Sequence, residues 1–413
     1  MEETLKPSNV NELVQTIEWA VAGVHPLEIV GGGSKHALGR RMQTERTLDL
    51  SAFSGIKEYQ PEELVLTAGA ATPLVEIEAV LAEKGQMLAF EPADYGAILG
   101  STLRATLGGA IACNLSGPRR IKAGAARDHL LGFHAVSGRA EAFKSGGKVV
   151  KNVTGYDLCK LLAGSWGTLA ALHEVSVKVM PSAEKIRTVL ICGLDAEGAV
   201  VAMNKAMASS HDVSGAAYLP AALAARSGVS YITDVGASVT ALRIEGIGLS
   251  AEARCSALRE IFSPLGYIEE LHGKNSHQFW REIRDVMPFA GDSRALWRIS
   301  LPPTAGARLI ARIKETIAAE AFVDWAGGLV WLAVVAGEDA SAPVVRELAK
   351  AEGGHATLLR APGDIRAAVP VFQPLAPAIA ELSTRLKESF DPPACSIQAV
   401  CMRGFDSGAR HAD

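Results

Sequence analysis

The 413-residue sequence lacks any apolar run long enough to cross a membrane as a helix. Its longest charge-free stretches, 105–118 and 367–380, reach 14 residues and contain Gly or Pro, short of the ~18 a span needs. It also lacks a basic excess: 41 Lys plus Arg against 45 Asp plus Glu leave a net charge of -4 and a pI near 6.2. Wholesale nucleic-acid binding is thereby excluded, because phosphate neutralisation needs a basic surplus or stripe. Cysteine is sparse. Cys113, Cys159, Cys192, Cys255, Cys395 and Cys401 are scattered with no CxxC, so neither structural zinc nor an iron-sulfur cluster is predicted, and the thiols read as reduced. Among ten histidines the nearest pairs, His129 with His134 and His272 with His277, are five apart; neither spacing makes a helical metal face, and no metal is expected. Residues 1–7 lack a basic segment leading into an apolar one, which predicts no secretory signal and a cytoplasmic location. What is present is ordinary globular composition, 48% hydrophobic and 21% charged. At ~150 residues per domain the length suggests two or three domains.

The first half alternates short apolar strands with glycine turns. Leu27 to Val30, Arg46 to Leu50, Leu64 to Ala68 and Gln86 to Phe90 read as strands, and Thr72-Pro73 as N-cap and first residue of a helix running to Lys84. Leu130 to Val136 and Ala140 to Phe143 flank a hairpin turn at Ser137-Gly138-Arg139; a helix from Tyr156 to Ala163 precedes a long strand from Leu169 to Met180. After about Ser182 the pattern changes. Helices are predicted over Ala196 to Ser209, Ser250 to Phe262, Ser276 to Met287, Thr304 to Glu320 and Ala342 to Glu352. Strands are predicted over Arg187 to Cys192, Ser238 to Glu245, Ala295 to Leu301, Leu329 to Val335 and His355 to Arg360. This reads as an α+β layer with helices on one face of a mostly antiparallel sheet. The boundary between the halves falls at Pro181 to Lys185.

The sharpest local feature is Gly31-Gly32-Gly33-Ser34-Lys35-His36, directly after a predicted strand. Three glycines bring the backbone close to a ligand and aim successive N–H groups at one point, as an anion loop requires. It is not a dinucleotide GxGxxG, because His36 stands where the last Gly belongs. Nor is there a phosphate-binding GK[ST], because Gly147-Lys148 continues with Val149.

Downstream pieces follow in order: Phe90-Glu91-Pro92-Ala93-Asp94; Gly100-Ser101-Thr102; Thr106-Leu107-Gly108-Gly109 leading to Asn114; Lys151-Asn152-Val153-Thr154-Gly155-Tyr156-Asp157-Leu158; and Gly164-Ser165-Trp166-Gly167-Thr168. Together they resemble the FAD-binding domain of the vanillyl-alcohol oxidase and p-cresol methylhydroxylase (PCMH) superfamily, and more closely the flavin-linked D-2-hydroxyacid dehydrogenases. With Gly353-Gly354-His355-Ala356-Thr357 near the C-terminus, the wording is similar to that of the E-subunit family of bacterial glycolate oxidases. The resemblance covers roughly residues 5–390. It implies FAD as cofactor, with the backbone of Gly31, Gly32, Gly33, Ser34, Lys35 and His36 and of Gly100, Ser101 and Thr102 on the pyrophosphate. By the same resemblance Thr106, Leu107, Gly108, Gly109 and Asn114 line the flavin, and Val153, Gly155, Tyr156 and Asp157 flank the adenine end. The residues allow plainer roles beside these: Thr106 to Asn114 as a buried helix start, and Asp157 as a helix cap.

The 2-hydroxyacid relatives carry HxGDGNxH, and this sequence does not; His355 has no acidic partner in its strand, so no catalytic residue is assigned. The resemblance accounts for that gap by a partner, since the complex has a D-type flavoprotein subunit with the motif and an F-type subunit with iron-sulfur clusters. The expectation is an α+β protein with a PCMH-type FAD-binding domain over 1–183, an α+β cap domain for substrate and partner over 184–390, and an atypical tail over 391–413. Its implied function is to hold FAD in a glycolate oxidase that acts on a small 2-hydroxyacid, with no transmembrane segment and a peripheral membrane association through the complex. Two rivals stay open: a stand-alone FAD-dependent 2-hydroxyacid dehydrogenase, and an assembly subunit with a vestigial flavin site. Trp297 with Arg298, Trp325 and Trp331 have the make-up of an aromatic and cationic wall, but strand aromatics are more often core and are assigned there.

Overall fold

The computed structural model describes residues 3–41, 44, 46–147 and 155–392. The chain opens with a small parallel sheet, β1 (Glu3–Leu5), β2 (Leu27–Val30) and β3 (Arg46–Asp49), in the order β1-β3-β2. The helix Val10–Gly23 makes the crossover from β1 to β2. Its start is fixed locally: the Glu12 amide donates to Asn9 Oδ1 at 3.0 Å and the Glu12 carboxylate accepts from the Ser8 amide at 2.7 Å, a reciprocal cap. Leu13, Ile17 and Ala20 recur on one face and bury against Leu27 and Leu48, the helical period carried into packing. The glycine loop therefore leaves the carboxyl end of a strand held on its buried side.

A five-stranded antiparallel sheet follows, formed by β4 (Ile56–Gln60), β5 (Val65–Gly69), β7 (Leu130–Ser137), β8 (Ala142–Gly146) and β9 (Ala170–Lys178) in the order β4-β5-β9-β7-β8. Two short strands, β6 (Gln86–Met87) and β10 (Met180–Pro181), pair with each other. The strand predicted to run to Phe90 stops at Met87, and Phe90 is fully buried in the core beside the sheet instead. The predicted cap at Thr72 is also corrected. The helix is Leu74–Glu83, and the Thr72 hydroxyl accepts from the Gly55 amide at 2.9 Å and donates to the Gly69 carbonyl at 2.7 Å, so it ties two loops rather than capping the helix.

Beyond Pro181 the chain builds an eight-stranded sheet whose neighbouring strands are all antiparallel. Its strands are β11 (Lys185–Cys192), β12 (Gly215–Leu219), β13 (Val239–Gly246), β14 (Tyr267–His272), β15 (Ala295–Ser300), β16 (Ala319–Asp324), β17 (Leu329–Val334) and β18 (His355–Arg360), in the order β14-β11-β13-β12-β16-β17-β15-β18. Helices Ala196–Met207, Gly248–Phe262, Gly306–Thr316 and Ala342–Ala351 pack on one face with Trp297 and Val189. The expectation that helices occupy one face alone is corrected. Phe279 and Trp280 of the helix Gly273–Arg284 pack on the opposite face, where Leu38, Ala93, Tyr95 and Leu115 from the first half join them. No described helix is long and apolar enough to cross a membrane.

A buried ion cluster joins the halves at that face. Arg243 on β13, with no exposed surface, donates to both Glu91 oxygens at 2.8 and 3.0 Å, and Arg119 donates to both Glu245 oxygens at 3.0 and 2.7 Å. Bidentate arginine pairs of this kind are both strong and directional. Burial alone would raise the Glu245 carboxyl, but Arg243 and Arg119 prevail and hold it down at about 2.

Candidate functional site

The glycine loop opens directly onto a cleft whose empty space, including the part open to solvent, is about 930 Å3. One wall is Gly31 to His36; the other is Thr106, Gly108 and Gly109 at the start of the helix Leu107–Ala112. The two walls are held tightly. A Cβ on Gly32 would lie 2.2 Å from the Arg104 carbonyl oxygen, and one on Gly31 would lie 3.1 Å from Thr106 Oγ1. Gly33 adopts φ +72°, a conformation that side chains disfavour. Thr106 is buried, caps the helix by accepting from the Gly109 amide at 3.3 Å, and turns toward the loop.

The donor set suits an anion. Among the described residues the amides of Gly32, Gly33, Ser34 and Lys35 donate to no protein acceptor, four consecutive free donors on a cradle that a methyl group would fill. The Lys35 side chain reaches across the cleft, its ammonium 3.4 Å from Ser34 Oγ and 3.4 Å from where a Gly109 Cβ would stand. It has no carboxylate partner among the described residues. Burial lowers its pKa, while the charges of Cys113 and Asp94 act the other way. Cys113 lines the same cleft, its thiol pushed up to about 11 by burial with Lys35 opposing. His36 lines the cleft beside Glu28; its Nδ1 lies 2.6 Å from Glu28 Oε1 and donates to it. Behind the polar wall the surface is apolar, with Leu38, Leu50, Ala70, Ala71, Trp166 and Leu172. Free backbone donors beside an apolar wall fit a dinucleotide with a flat ring system, and FAD has that make-up.

The predicted residues divide. Gly31, Gly32, Gly33, Ser34, Lys35, His36, Thr106, Gly108 and Gly109 are brought together on the cleft. Leu107 is fully buried in the core beneath it. Gly100 ends the short helix Gly96–Leu99 in a left-handed turn, and Ser101 and Thr102 follow outside the cleft lining, although the next two residues, Leu103 and Arg104, abut the glycine loop. Asn114, at φ 49°, accepts from the Arg127 amide at 3.0 Å and does not line the cleft. Asp157 caps the helix Leu158–Leu162 through the Lys160 amide, and Tyr156 beside it is 92% exposed, as is Gly155 in kind. Val153 lies outside the described residues, as does the predicted tail from 393 onward. Sequence reasoning did not assign Glu28, Cys113 or Trp166 to the site. Trp166 stood in a quoted motif, and its left-handed φ of 58° beside Gly167 at 74° is the local signal that the turn is built to present it.

His355 is exposed at the start of β18. Burial of the ring, then Arg298 and Arg120, lower its pKa, and no carboxylate pairs with it among the described residues. Trp297 and Trp331 are core residues as expected. No group of three or more metal-ligating side chains occurs among the described residues.

Known proteins agree with this geometry. Residues 2–146 match the family model described as FAD binding domain. Over its full span the chain resembles the solved structure of p-cresol methylhydroxylase with substrate bound, with a TM-score of 0.68 and 12% identity, covering 95% of this chain and 87% of that one. The glycolate oxidase subunit GlcD of Bacillus subtilis is 32% identical over 45% of this chain and 38% of its own length. The glycolate oxidase subunit GlcE of Escherichia coli K12 is 35% identical over 97% of both chains. A FAD-binding oxidoreductase fold, a cleft fitted to the cofactor and a relative matched from end to end converge: the chain belongs to the GlcE family of glycolate oxidase subunits.

Proposed function

We propose that this chain is the FAD-holding subunit of a glycolate oxidase, in which glycolate is converted to glyoxylate. The observation that carries this is the row of free amides from Gly32 to Lys35 facing Thr106, Gly108 and Gly109 across an apolar cleft. In this reading Gly32 to Lys35 bind the diphosphate through backbone N–H groups, and Lys35 neutralises charge from the side. The walls of Leu38, Ala70, Ala71 and Leu172 exclude water from the ring system and hold its plane. When bound, FAD supplies acceptance of the hydride and release of its electrons one or two at a time. Residues 1–183 hold the cofactor, and 184–390 cover it and present partner surface; the passage from the small sheets into the eight-stranded sheet after Pro181 supports that division.

No catalytic base is assigned to this chain, in keeping with a division of labour with a D-type flavoprotein subunit. Electrons would then leave toward an F-type iron-sulfur subunit and quinone. The similarity to both GlcE and GlcD supports the two-flavoprotein part of this assembly. A cytoplasmic site of action, peripheral at the membrane through the complex, belongs to the same proposal. The test is the visible spectrum of the chain purified alone, then with excess glycolate in the absence of oxygen. Flavin bands at about 370 and 450 nm that persist with glycolate are expected. Bleaching would give the oxidation step to this chain itself, and no bands after reconstitution with FAD would refute the cofactor role.

A further inference from the structure

The junction between the halves contains two guanidinium groups that no carboxylate claims. Arg120 starts the short helix Arg120–Ala123 of the first half, and Arg298 lies on β15 of the eight-stranded sheet. Both stack on one indole: their guanidinium carbons are 4.3 and 5.1 Å from the ring centroid of Trp325. Trp325 is itself pinned across the junction, its Nε1 donating to the Gly117 carbonyl at 3.1 Å. Neither arginine forms an ion pair or side-chain hydrogen bond among the described residues, unlike Arg119, Arg243 and Arg284 close by, each of which has a carboxylate. Both are half-buried, so the charges are partly stripped of water yet still reachable.

Register places further polar groups around them. Arg298 stands opposite Thr357 on β18, and His355 follows on the same face of that strand. Arg298 and Arg120 each act on the other's surroundings, since both depress His355 and Arg298 depresses Arg120 after burial has done so. Asp324, the carboxyl that Arg298 also influences, is buried and accepts from the Trp325 amide at 2.7 Å. Tyr95, buried on the same face of the sheet, packs edge-on against Trp331 of β17 with ring centroids 5.9 Å apart. Two unneutralised, half-dried guanidinium groups on a rigid aromatic plate are costly unless an anion joins them.

We propose that Arg120 and Arg298, flanking Trp325, form a binding subsite for the carboxylate of a small 2-hydroxy or 2-oxo acid. This rests on the glycolate oxidase reading for the ligand, but not on the flavin. Each arginine presents a planar fork of donors matched to a carboxylate, and the stack on Trp325 fixes the forks without spending their N–H groups. The subsite is shared between the two halves of the chain.

The test is calorimetric titration of the FAD-loaded full-length chain with glycolate, using glycolamide as the uncharged isostere. Glycolate is expected to saturate the protein, and glycolamide to bind at least about tenfold more weakly. Arg298→Gln and Arg120→Gln should each weaken glycolate by about tenfold or more and leave glycolamide unchanged. Arg298→Lys should recover part of the loss. Flavin absorbance and circular dichroism of the variants should match the parent. Equal affinity for glycolate and glycolamide, or glycolate binding that neither variant weakens, would overturn the subsite. So would the absence of glycolate binding. A chain that takes up no FAD but still prefers glycolate to glycolamide through these arginines would refute the flavin reading and sustain the subsite.

Discussion

The cradle reading makes a sharp demand of Gly32. A methyl group placed there would sit 2.2 Å from the carbonyl oxygen of Arg104 and 3.0 Å from Thr106 Cγ2. Ordinary contact is about 3.4 Å or more, so Gly32→Ala forces the loop and the Arg104 backbone apart by more than an ångström, and the obstacle is backbone rather than a movable side-chain tip. Overpacking of this sort costs about 1–3 kcal/mol. The displaced amides are the four that the proposed function puts on the diphosphate, so the cost should fall on cofactor affinity, weakening it by about 5- to 150-fold at 1.4 kcal/mol per decade. Gly109→Ala separates affinity from folding. Its Cβ meets only two side-chain atoms, Thr106 Oγ1 at 3.2 Å and Lys35 Nζ at 3.4 Å; the apo fold should tolerate it while the methyl group fills the cleft. Gly147, with nothing within 4 Å of its Cβ, is the neutral control. The assay is titration of apo chain with FAD by flavin fluorescence, with thermal unfolding measured on the same samples. The stabilisation FAD confers should shrink in both cleft variants, because only binding to the folded state raises the midpoint. Gly32→Ala binding FAD within twofold of the parent would refute the cradle.

Four further outcomes follow from the charges. Arg243→Met strips Glu91 of its bidentate partner at the junction and should cost about 3–5 kcal/mol in urea unfolding, with Glu91→Gln in the same chain restoring part of it. Glu245 is held down at about 2, below its ordinary 4.5. Its contribution is therefore complete above about pH 4.5 and disappears as pH falls toward 2; urea midpoints across that window should flatten in Glu245→Gln. Asp324 goes the other way, raised by burial to about 7 from 3.8. The folded state then holds the proton more tightly, and stability falls as pH rises from about 4 to 7 by on the order of 4 kcal/mol. Asp324→Asn keeps an acceptor for the Trp325 amide and should abolish that slope. Lys387 is buried on the helix Pro377–Phe390, donating to the Thr168 carbonyl at 2.7 Å and to Asp391 at 2.5 Å; Lys387→Met should lower the thermal midpoint sharply, whereas Lys→Met at exposed Lys205 should not.

Legibility in the sequence tracked how local each determinant is. The glycine loop was readable because its chemistry is contiguous: a strand, three glycines and a positive φ at Gly33 need no knowledge of the rest of the fold. β11, β13, β15, β17 and β18 were found to within about two residues because apolar strands bounded by turns carry their own signal. β12, Gly-Ala-Ala-Tyr-Leu, was missed because it is buried on both faces and small, so no alternation marks it. Ala319 and Glu320, the first residues of β16, were read as the end of a helix because Ala and Glu favour helices in isolation. Yet the helix stops at Thr316, and residues 319–324 pair along their whole length with β17, a tertiary preference overriding a local one.

The same distinction explains the site. Thr106, Gly108 and Gly109 were legible as a capped, close-packed helix start. The apolar wall was not, since Leu38, Leu50, Ala70 and Leu172 come from four separate segments and meet only through the register of β5 with β9 and the packing of the small parallel sheet. Asn114 and Asp157 share one feature: both are polar residues at helix boundaries, and in each the side chain is used on a backbone amide, Arg127 for the first and Lys160 for the second. A polar residue that the backbone has already claimed cannot also serve a ligand with the same atom. The converse holds at Lys35, Arg120 and Arg298, whose charges no neighbouring carboxylate takes up. In this chain it is the unclaimed donor, more than the motif around it, that marks where a ligand is to be sought.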